Sequence, residues 1–424
     1  MNAVIRRIRK RMPIQRVIVA LAILAACYFM TMMYIIEHYT TFEGIKNYIL
    51  NDIHILQNDF NESADYLKEG PHKQVRRRIF YWDNTSAAKY PKWNVEWPHS
   101  YYPKTPNNDL LHMIHQYQHL VSPPVFNASH RIPRIVHQMW KTKYLPSQMV
   151  AWVSKWRVTH PDWMYIFWTD VSARKFVAQR FKPLLKTYDD FQHGVLKADM
   201  FRYMVLYTFG GVYADLDVEP LKNLDPIRDW APCIMSQEPN VHHQVSNYLS
   251  YGSKAELNYT LACNAFMACR PGHPFFFYLL SRIVEVSVAV TSRKCGLQLT
   301  LACTGPEMMT KALTFYRRSM SKRTRDQHPE DDVILAEPET FLPTFDEGQI
   351  ERMKHRCRRR NKLSPLGRRI CVQLKARNFA NNNVTKQSYT NHHWFHTYHR
   401  PAHSMARKMV HIGDVMPDVW FLRS

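Results

Sequence analysis

The chain has 424 residues, of which 46% are hydrophobic and 13% aromatic, and it carries a formal net charge of +22. This composition excludes a mostly disordered polypeptide, because disordered chains are poor in apolar and aromatic residues. The length allows one large domain or two modest ones. The positive charge is concentrated in two basic clusters, at Arg6–Arg16 and Arg352–Arg377.

An apolar segment without charge, Val17–Ile36, follows the first basic cluster. As a helix it would span roughly 30 Å, the thickness of the hydrocarbon core of a membrane. Its amino-terminal flank is basic, so the positive-inside rule predicts a cytosolic amino terminus and a lumenal remainder. An Ala-Leu-Ala triplet resembles a signal-peptide cleavage site, but the apolar run continues well beyond it. We therefore predict a cytosolic tail at residues 1–16 and an uncleaved transmembrane signal anchor at residues 17–36.

Glycosylation sequons and cysteines agree with a lumenal location. Sequons occur at Asn61, Asn84, Asn127, Asn258 and Asn383. Seven cysteines lie outside the predicted anchor, and an oxidising compartment would pair most of them, with at least one left over. Cys357 and Cys371 lie within the second basic cluster, on either side of its Arg358-Arg359-Arg360 run, and are the predicted pair. A zinc site is the alternative, but no Cys-x-x-Cys spacing supports it.

Residues 37–130 are predicted to form a lumenal stem. They are polar, contain three of the five sequons and become rich in proline and aromatic residues, as in PKWNVEWPHSYYPKTP. No regular period runs through them, apart from a short helical pattern near residues 109–120. The last part of this stem could pack on the domain that follows.

From residue 131 onwards the pattern alternates between strands and helices. Strands are predicted at Ile135–Trp140 and Tyr165–Thr169, and helices at Ser172–Phe181, capped by Asp170 or Ser172, and at Val195–Phe209, ended by Gly210-Gly211. Further strands are predicted in PCIMSQE, NAFMAC and VILAE, and further helices after GHP and from Pro306. This alternation predicts an α/β domain with a mostly parallel sheet at residues 131–424.

The stretch GGVYADLDVEPL predicts a buried strand carrying Asp215, Asp217 and Glu219. Because alternate residues of a strand face the same side, the three carboxylates would share one face. Carboxylates this close oppose one another's ionisation unless a positive group lies between them. At the carboxyl end of a strand, where α/β sheets bind ligands, oxygen ligands suit Mn²⁺ or Mg²⁺, whose other partners would be phosphates. The alternative is a solvated strand end.

Asp199 and Arg202 lie three residues apart on the helix before this strand, and therefore on one of its faces. The spacing is typical of an ordinary ion pair, which is worth a few tenths of a kcal/mol. It is equally compatible with two side chains that bind sugar hydroxyls, so the spacing alone leaves both interpretations open.

The run VLKADMFRYMVLYTFGGVYADLDVEPL resembles the sugar-binding region of glycosyltransferase family 32, which includes fungal α-1,6-mannosyltransferases and mannosyltransferases acting on inositol phosphoceramide. The resemblance extends from IPRIVHQMWKT through HPDWMYIFWTD, NAFMACRPGHPF and TGP to HHWFHTYHR, over residues 131–400. A more distant likeness is to the glucosylating clostridial toxins. The resemblance implies a GT-A fold (Rossmann-like), Mn²⁺, a nucleotide-sugar donor (GDP-mannose or UDP-hexose) and retention of anomeric configuration.

Transferred residue by residue, the resemblance assigns roles to five side chains. Asp217 would bind the metal directly, and Asp215 would contact the donor ribose or sugar and reach the metal through water. Asp199 and Arg202 would hold the donor hexose. Trp140, at the end of the first predicted strand, would stack on the nucleotide base, and the alternative for it is a core tryptophan.

The resemblance also implies that His392 is the third protein ligand of the metal and that Thr397 and Tyr398 contact the diphosphate. The family often has Ser-Trp where this chain has Thr-Tyr, and that departure weakens the phosphate assignment. The cluster of histidines allows more than one alignment of this segment with the family's motif. The alternative metal ligands are His393, His396 and His399.

The predicted protein is a single-pass type II Golgi enzyme with a lumenal catalytic domain. It would transfer a hexose, with mannose favoured, to a glycolipid or glycan acceptor. The leaving phosphate would accept the acceptor's proton in a front-face attack, because no pair of carboxylates stands out as nucleophile and acid. Glu219 and Glu238 are the candidate carboxylates for the alternative, a mechanism that uses such a pair. The alternatives are a UDP-hexose-dependent α-galactosyl- or glucosyltransferase and a catalytically silent, membrane-anchored lectin.

The run Arg358-Arg359-Arg360 is also typical of nucleic-acid binding. A lumenal location argues against that function. Attraction to anionic lipid head groups or to an acidic acceptor stays open, and a solvated surface loop is the default expectation.

Overall fold

The computed structural model describes residues 80–82, 114, 132–246, 260–289, 300–320, 322–395 and 408–422. The predicted tail and anchor and most of the predicted stem lie outside these ranges, as do the sequons at Asn61, Asn84, Asn127 and Asn258. Within the described ranges, no helix combines the length and the apolar character that a membrane span requires.

The described strands, in chain order, are β1 (Phe80–Trp82), β2 (Ile135–Met139), β3 (Tyr144–Pro146), β4 (Met164–Trp168), β5 (Gly211–Ala214), β6 (Val218–Pro220), β7 (Cys233–Gln237), β8 (Ala262–Cys269), β9 (Ile334–Ala336), β10 (Thr390–His392), β11 (Met409–His411) and β12 (Trp420–Leu422). Eight of them form one sheet in the order β1-β12-β4-β2-β5-β8-β7-β9. Its pairs are parallel except for β5–β8 and β7–β8. The predicted α/β domain with a mostly parallel sheet is confirmed.

The described α-helices are α1 (Val150–Thr159), α2 (Asp170–Arg180), α3 (Leu185–Asp190), α4 (Gly194–Phe209), α5 (Pro274–Ala289), α6 (Thr300–Cys303), α7 (Pro306–Ser319), α8 (Lys322–Gln327), α9 (Pro338–Phe341), α10 (Ile350–Arg358), α11 (Pro365–Ala376) and α12 (Ile412–Val415). Short 3₁₀ segments and one π-helical turn at His242–Ser246 connect several of these helices and strands.

Helices cover both faces of the large sheet, so its central strands β2, β5 and β8 are buried at every position. In β4, Ile166 and Trp168 pack in one hydrophobic cluster, whereas Tyr165 and Phe167 pack in another. This division follows from the pleat, which points successive side chains to opposite faces. Continuous apolar strands of this kind are typical of parallel sheets buried on both sides.

Helix α4 ends as the sequence predicts, at a glycine pair that then starts β5. Gly210 caps the helix with φ of 65°, and Gly211 has φ of 87°, a region that favours glycine. A Cβ on Gly211 would lie 2.6 Å from the carbonyl oxygen of Ile135. The glycine pair therefore lets the chain reverse out of the helix and approach β2 closely.

Two local predictions are wrong. The cap of α2 is neither Asp170 nor Ser172 but Thr169, whose hydroxyl accepts a hydrogen bond from the amide of Ser172 while the Ser172 hydroxyl accepts one from the amide of Thr169. The acidic strand is also interrupted, because β5 stops at Ala214 and the chain turns before β6 pairs with β10 in a separate two-stranded sheet.

Two parts of the predicted stem take part in the described fold. Strand β1 pairs in parallel with β12 at the edge of the large sheet. Ile114 is fully buried in the cluster that also contains much of α4. The boundaries of the stem and of the catalytic domain stay predictions.

The predicted disulfide Cys357–Cys371 is present and links α10 to α11. A second disulfide, Cys233–Cys269, joins β7 to the neighbouring strand β8. Among the described residues, Cys263 is a free, buried cysteine. Disulfides of this kind persist in oxidising compartments.

Candidate active site

The two aspartates of the DLD sequence are brought together by a turn. The amide of Val218 donates to the carbonyl oxygen of Asp215 at 2.9 Å, which closes the turn between β5 and β6. Gln138, on the neighbouring strand β2, donates from Nε2 to the same carbonyl oxygen at 3.0 Å. The turn therefore lies at the carboxyl edge of the sheet, as the sequence predicts, although the side chains do not share the face of one strand.

Asp215, Asp217 and His392 form the centre of the site. Each offers an oxygen or nitrogen atom that lies within 4.8 Å of the others. His392 reaches the turn because β10 pairs with β6, where His392 is opposite Val218. Its Nε2 lies 3.2 Å from Asp217 Oδ1, and the amide of Phe395 donates to Asp217 Oδ2 at 2.8 Å.

The electrostatics of the two aspartates differ because their neighbours differ. Burial raises the pKa of Asp215 despite the nearby Arg202 guanidinium. Burial would also raise the pKa of Asp217, but the charge and hydrogen bond of His392 outweigh it and bring the pKa to about 2. For His392, burial is likewise outweighed by Asp217, which raises the imidazole pKa.

Two carboxylates and one imidazole fit a divalent cation such as Mn²⁺. The fit has two observations behind it: the three donor atoms converge, and His392 Nδ1 is buried without a hydrogen-bond partner among the described residues. Metal binding would release the proton shared by His392 and Asp217, since ligands bind in their deprotonated forms.

Asp199 and Arg202 lie under this centre on α4, and both side chains are buried. Arg202 Nη2 is 3.4 Å from Asp199 Oδ1, and Arg202 Nη1 is 3.2 Å from Asp215 Oδ1. Nη1 also donates to the carbonyl oxygen of Asn264 at 2.7 Å. The pair is thus joined to the metal-binding candidates and is more than a surface ion pair.

Two residues that sequence reasoning did not single out position Asp199. Asn264 Nδ2 donates to Asp199 Oδ1 at 2.8 Å, and the hydroxyl of Thr304 donates to Asp199 Oδ2 at 2.9 Å. Burial nevertheless raises the pKa of Asp199 to about 6. Asn264 and Thr304 both belong to segments on which the family resemblance rests, NAFMACRPGHPF and TGP, and that was the available signal.

Glu219 is not part of the acidic centre, so the expectation of three acids on one face is wrong. Its carboxylate forms an ion pair with Lys155 and accepts from His393 Nε2 at 2.7 Å. The imidazole of His393 in turn stacks on Trp152 at 4.2 Å between ring centroids. This arrangement separates His393 from the metal candidates and favours His392 as the ligand.

The remaining predicted residues are distributed as follows. Trp140 is partly buried just after β2, at the same edge of the sheet as Gln138, and packs against the apolar cluster on one face. Both of its predicted roles, stacking on the nucleotide base and packing in the core, stay predictions. Thr397 and Tyr398 lie outside the described residues, as do the alternative ligands His396 and His399.

Comparison with known proteins finds similarity to glycosyltransferases. The family model described as a glycosyltransferase sugar-binding region containing a DXD motif matches residues 146–232. The chain is 36% identical over 132 residues to inositol phosphoceramide mannosyltransferase 3 of Schizosaccharomyces pombe, over 31% of this chain and 36% of that protein. It is 27% identical over 202 residues to the initiation-specific alpha-1,6-mannosyltransferase of the same organism, over 44% of this chain and 48% of that protein.

These alignments span about a third to a half of the curated relatives. Among solved structures, the PaToxG glycosyltransferase is matched over 57% of this chain and 89% of its own, with 14% identity and a TM-score of 0.30, which is too low to establish a shared fold. The sequence matches are specific, and the DXD aspartates lie inside the matched region. These matches support the resemblance to glycosyltransferase family 32 that the sequence indicates.

Proposed function

We propose that the protein is a metal-dependent glycosyltransferase with a GT-A catalytic domain, which transfers mannose from a nucleotide-sugar donor to a lipid or glycan acceptor. The relatives support mannose as the sugar, since one is an inositol phosphoceramide mannosyltransferase and another is an initiation-specific alpha-1,6-mannosyltransferase. The mostly parallel sheet with a DXD turn at its carboxyl edge supports the GT-A assignment.

The observation that carries this proposal is the convergence of Asp215, Asp217 and His392 next to a buried arginine. These three residues would hold Mn²⁺ or Mg²⁺, which when bound supplies positive charge against the departing diphosphate. Arg202 and Asp199 form a fixed donor–acceptor pair within the same site. Such a pair can bind the hydroxyls of a hexose, because one side chain donates hydrogen bonds and the other accepts them.

Retention by front-face attack is part of the proposal. The two other acids that could act as nucleophiles are engaged elsewhere: Glu219 by Lys155 and His393, and Glu238 by His242 Nδ1 at 2.7 Å. A retaining enzyme with a covalent intermediate needs a second carboxylate free to attack the sugar. Without one, the leaving phosphate is the base that takes the acceptor's proton.

We also propose that the protein is a type II Golgi membrane protein with its catalytic domain in the lumen. The apolar segment Val17–Ile36, the five sequons and the positive amino-terminal flank support this location. The disulfides Cys233–Cys269 and Cys357–Cys371 support an oxidising compartment.

The test uses the purified full chain in detergent with Mn²⁺ or with a chelator. Release of free sugar is measured from GDP-mannose, UDP-glucose and UDP-galactose. The proposal expects turnover of GDP-mannose that stops with chelator and that Asp217→Asn abolishes. Turnover of a UDP-hexose alone would support the galactosyl- or glucosyltransferase alternative. Absence of both turnover and metal-dependent nucleotide binding would support the lectin.

A further inference from the structure

The second basic cluster folds into a compact helical unit, whereas the default expectation was a solvated loop. Helices α10 and α11 are joined by Cys357–Cys371, and we call residues 350–377 the basic hairpin. The inner face of the basic hairpin is apolar. The buried residues of this small core are Val241, Val245, Phe345, Met353, Cys357, Leu363, Cys371, Leu374 and Phe379.

The outer face of the basic hairpin is strongly cationic. Residues 350–377 contain eleven lysines and arginines and a single acid, Glu351. Glu351 is already paired with Lys354 at 2.8 Å. Among the described cationic side chains of this segment, seven are exposed: Arg352, Arg358, Arg359, Lys362, Arg368, Arg369 and Lys375. The disulfide Cys357–Cys371 links the two helices that carry most of this charge.

An exposed valine lies within the cationic surface. The side chain of Val372 is 59% exposed, whereas the larger apolar side chains of the same helix, Leu366, Ile370 and Leu374, are buried or half-buried. Arg368, Arg369 and Lys375 are three or four residues away from it on the same helix, and such positions are neighbours on a helix surface. An apolar side chain ringed by cations is the arrangement found at the interface of a membrane.

The basic hairpin is connected to the candidate active site through the π-helical turn. The hydroxyl of Ser364 donates to Gln244 Oε1 at 2.6 Å, which fixes α11 on this turn. In the same turn His242 packs edge-on against Trp394, with 4.5 Å between ring centroids. Trp394 lies 4.1 Å from the ring of His392. Through this turn the basic hairpin is therefore connected by packing contacts to the metal-binding candidate His392.

We propose that the basic hairpin binds the surface of an anionic lipid bilayer. Lipid phosphates attract the exposed arginines and lysines. Val372 enters the boundary between head groups and acyl chains. The binding does not depend on catalysis, but it would hold the active site where the head group of a lipid acceptor can reach it.

The test compares the full chain in lipid nanodiscs of two compositions, phosphatidylcholine alone and phosphatidylcholine with phosphatidylinositol. Hydrogen–deuterium exchange is measured for peptides from residues 350–377. We expect their exchange to slow about fivefold in the anionic discs, the factor that corresponds to about 1 kcal/mol, and to recover in high salt. Exchange in α1 should be the same in both discs. Equal exchange of the basic hairpin in both discs would refute the proposal.

Two charge-reversed variants make the test specific. Arg358→Glu/Arg359→Glu places acids at the end of α10, and Arg317→Glu/Arg318→Glu makes the same change at the exposed end of α7. We expect the first variant alone to lose the lipid-dependent slowing. Equal loss in both variants, or in neither, would contradict the proposal.

Two further experiments distinguish bilayer binding from misfolding of the variant and from binding of a small anion. Arg358→Gln/Arg359→Gln removes charge without adding acid. We expect this variant to lose part of the lipid-dependent slowing of exchange, which would show that the loss in the charge-reversed variant is not caused by misfolding. Soluble inositol phosphate added to phosphatidylcholine discs should leave the exchange unchanged. If it reproduced the full slowing, the basic hairpin would be a site for a small anion, and the bilayer proposal would be wrong.

Discussion

The imidazole of His392 lies 3.2 Å from the carboxylate of Asp217, across a two-stranded sheet that joins distant parts of the chain. The contact depends on the register of that sheet, in which Thr390 faces Pro220 and His392 faces Val218. Beyond the strand, the amide of Phe395 donates to the same carboxylate. The carboxyl-terminal segment thus completes the acidic turn.

We predict that His392→Ala weakens Mn²⁺ binding at least about 100-fold, more than the loss expected from a residue that only supports a ligand. His393→Ala should leave Mn²⁺ affinity near that of the wild type, because this imidazole is bound to Glu219 and stacked on Trp152. It should instead cost about 1–3 kcal/mol of unfolding free energy. Calorimetric titration with Mn²⁺ and denaturant unfolding measure the two effects, and similar Mn²⁺ losses in both variants would contradict the assignment of His392.

We predict that Asp217→Asn lowers donor turnover by about 100-fold or more, because it weakens binding of the cation whose charge would stabilise the departing diphosphate. The variant should fold normally, because an asparagine oxygen can still accept the hydrogen bond from Phe395. Donor hydrolysis and thermal unfolding are measured together. Asp162→Asn, an exposed change outside the site, is the matched control. Near-normal hydrolysis by Asp217→Asn would remove this residue from the metal site.

We predict an acid-sensitive contribution of His137 to stability. Its Nε2 donates to the carbonyl oxygen of Gly210 at 3.0 Å and its Nδ1 accepts from Trp168 at 3.2 Å, so the buried ring is neutral. Burial lowers its pKa to about 3, against 6.5 for the unconstrained ring. As the pH falls through this window the unfolded chain gains a proton that the folded chain does not, and stability is lost.

The expected loss from His137 is about 2 kcal/mol between pH 7 and pH 5. Denaturant unfolding at both pH values should give a smaller pH dependence for His137→Gln than for the wild type. Asn361→Gln, an exposed change that adds or removes no titratable group, should keep the wild-type dependence. If the unfolding free energy of His137→Gln depended on pH as strongly as that of the wild type, the protonation of this ring would not differ between the folded and unfolded chains, and the prediction would be wrong.

We predict that Cys357→Ala/Cys371→Ala destabilises the basic hairpin by about 3 kcal/mol, the cross-linking effect for a loop of this size. The closed loop is short, with a sequence separation of 14, and the small apolar core offers little other support. Limited trypsin digestion followed by mass spectrometry should show faster cleavage within residues 350–377. Cys263→Ala, which removes a free buried thiol, should leave that cleavage unchanged.

Much of the domain could be predicted from local patterns. The apolar periodicity of α4 and its terminal glycines predicted a helix that the structure has at Gly194–Phe209, and the apolar runs of β2 and β4 predicted strands within two residues of their ends. These signals are local, because helix periodicity, capping and pleat alternation act within a few residues. The spacing of Cys357 and Cys371 around one basic segment likewise predicted their disulfide.

The composition of the candidate site was decided by tertiary contacts. Sequence alone placed Asp215, Asp217 and Glu219 on one strand, whereas the turn after Ala214 separates Glu219, and pairing of β6 with β10 selects His392 over His393 among the described histidines. Asn264 and Thr304 meet Asp199 from remote segments. Such positions follow from strand register and helix packing across long sequence separations, and no short-range pattern encodes them. The residue types and the α/β class are therefore properties of the sequence, whereas the partners of each carboxylate are properties of the fold.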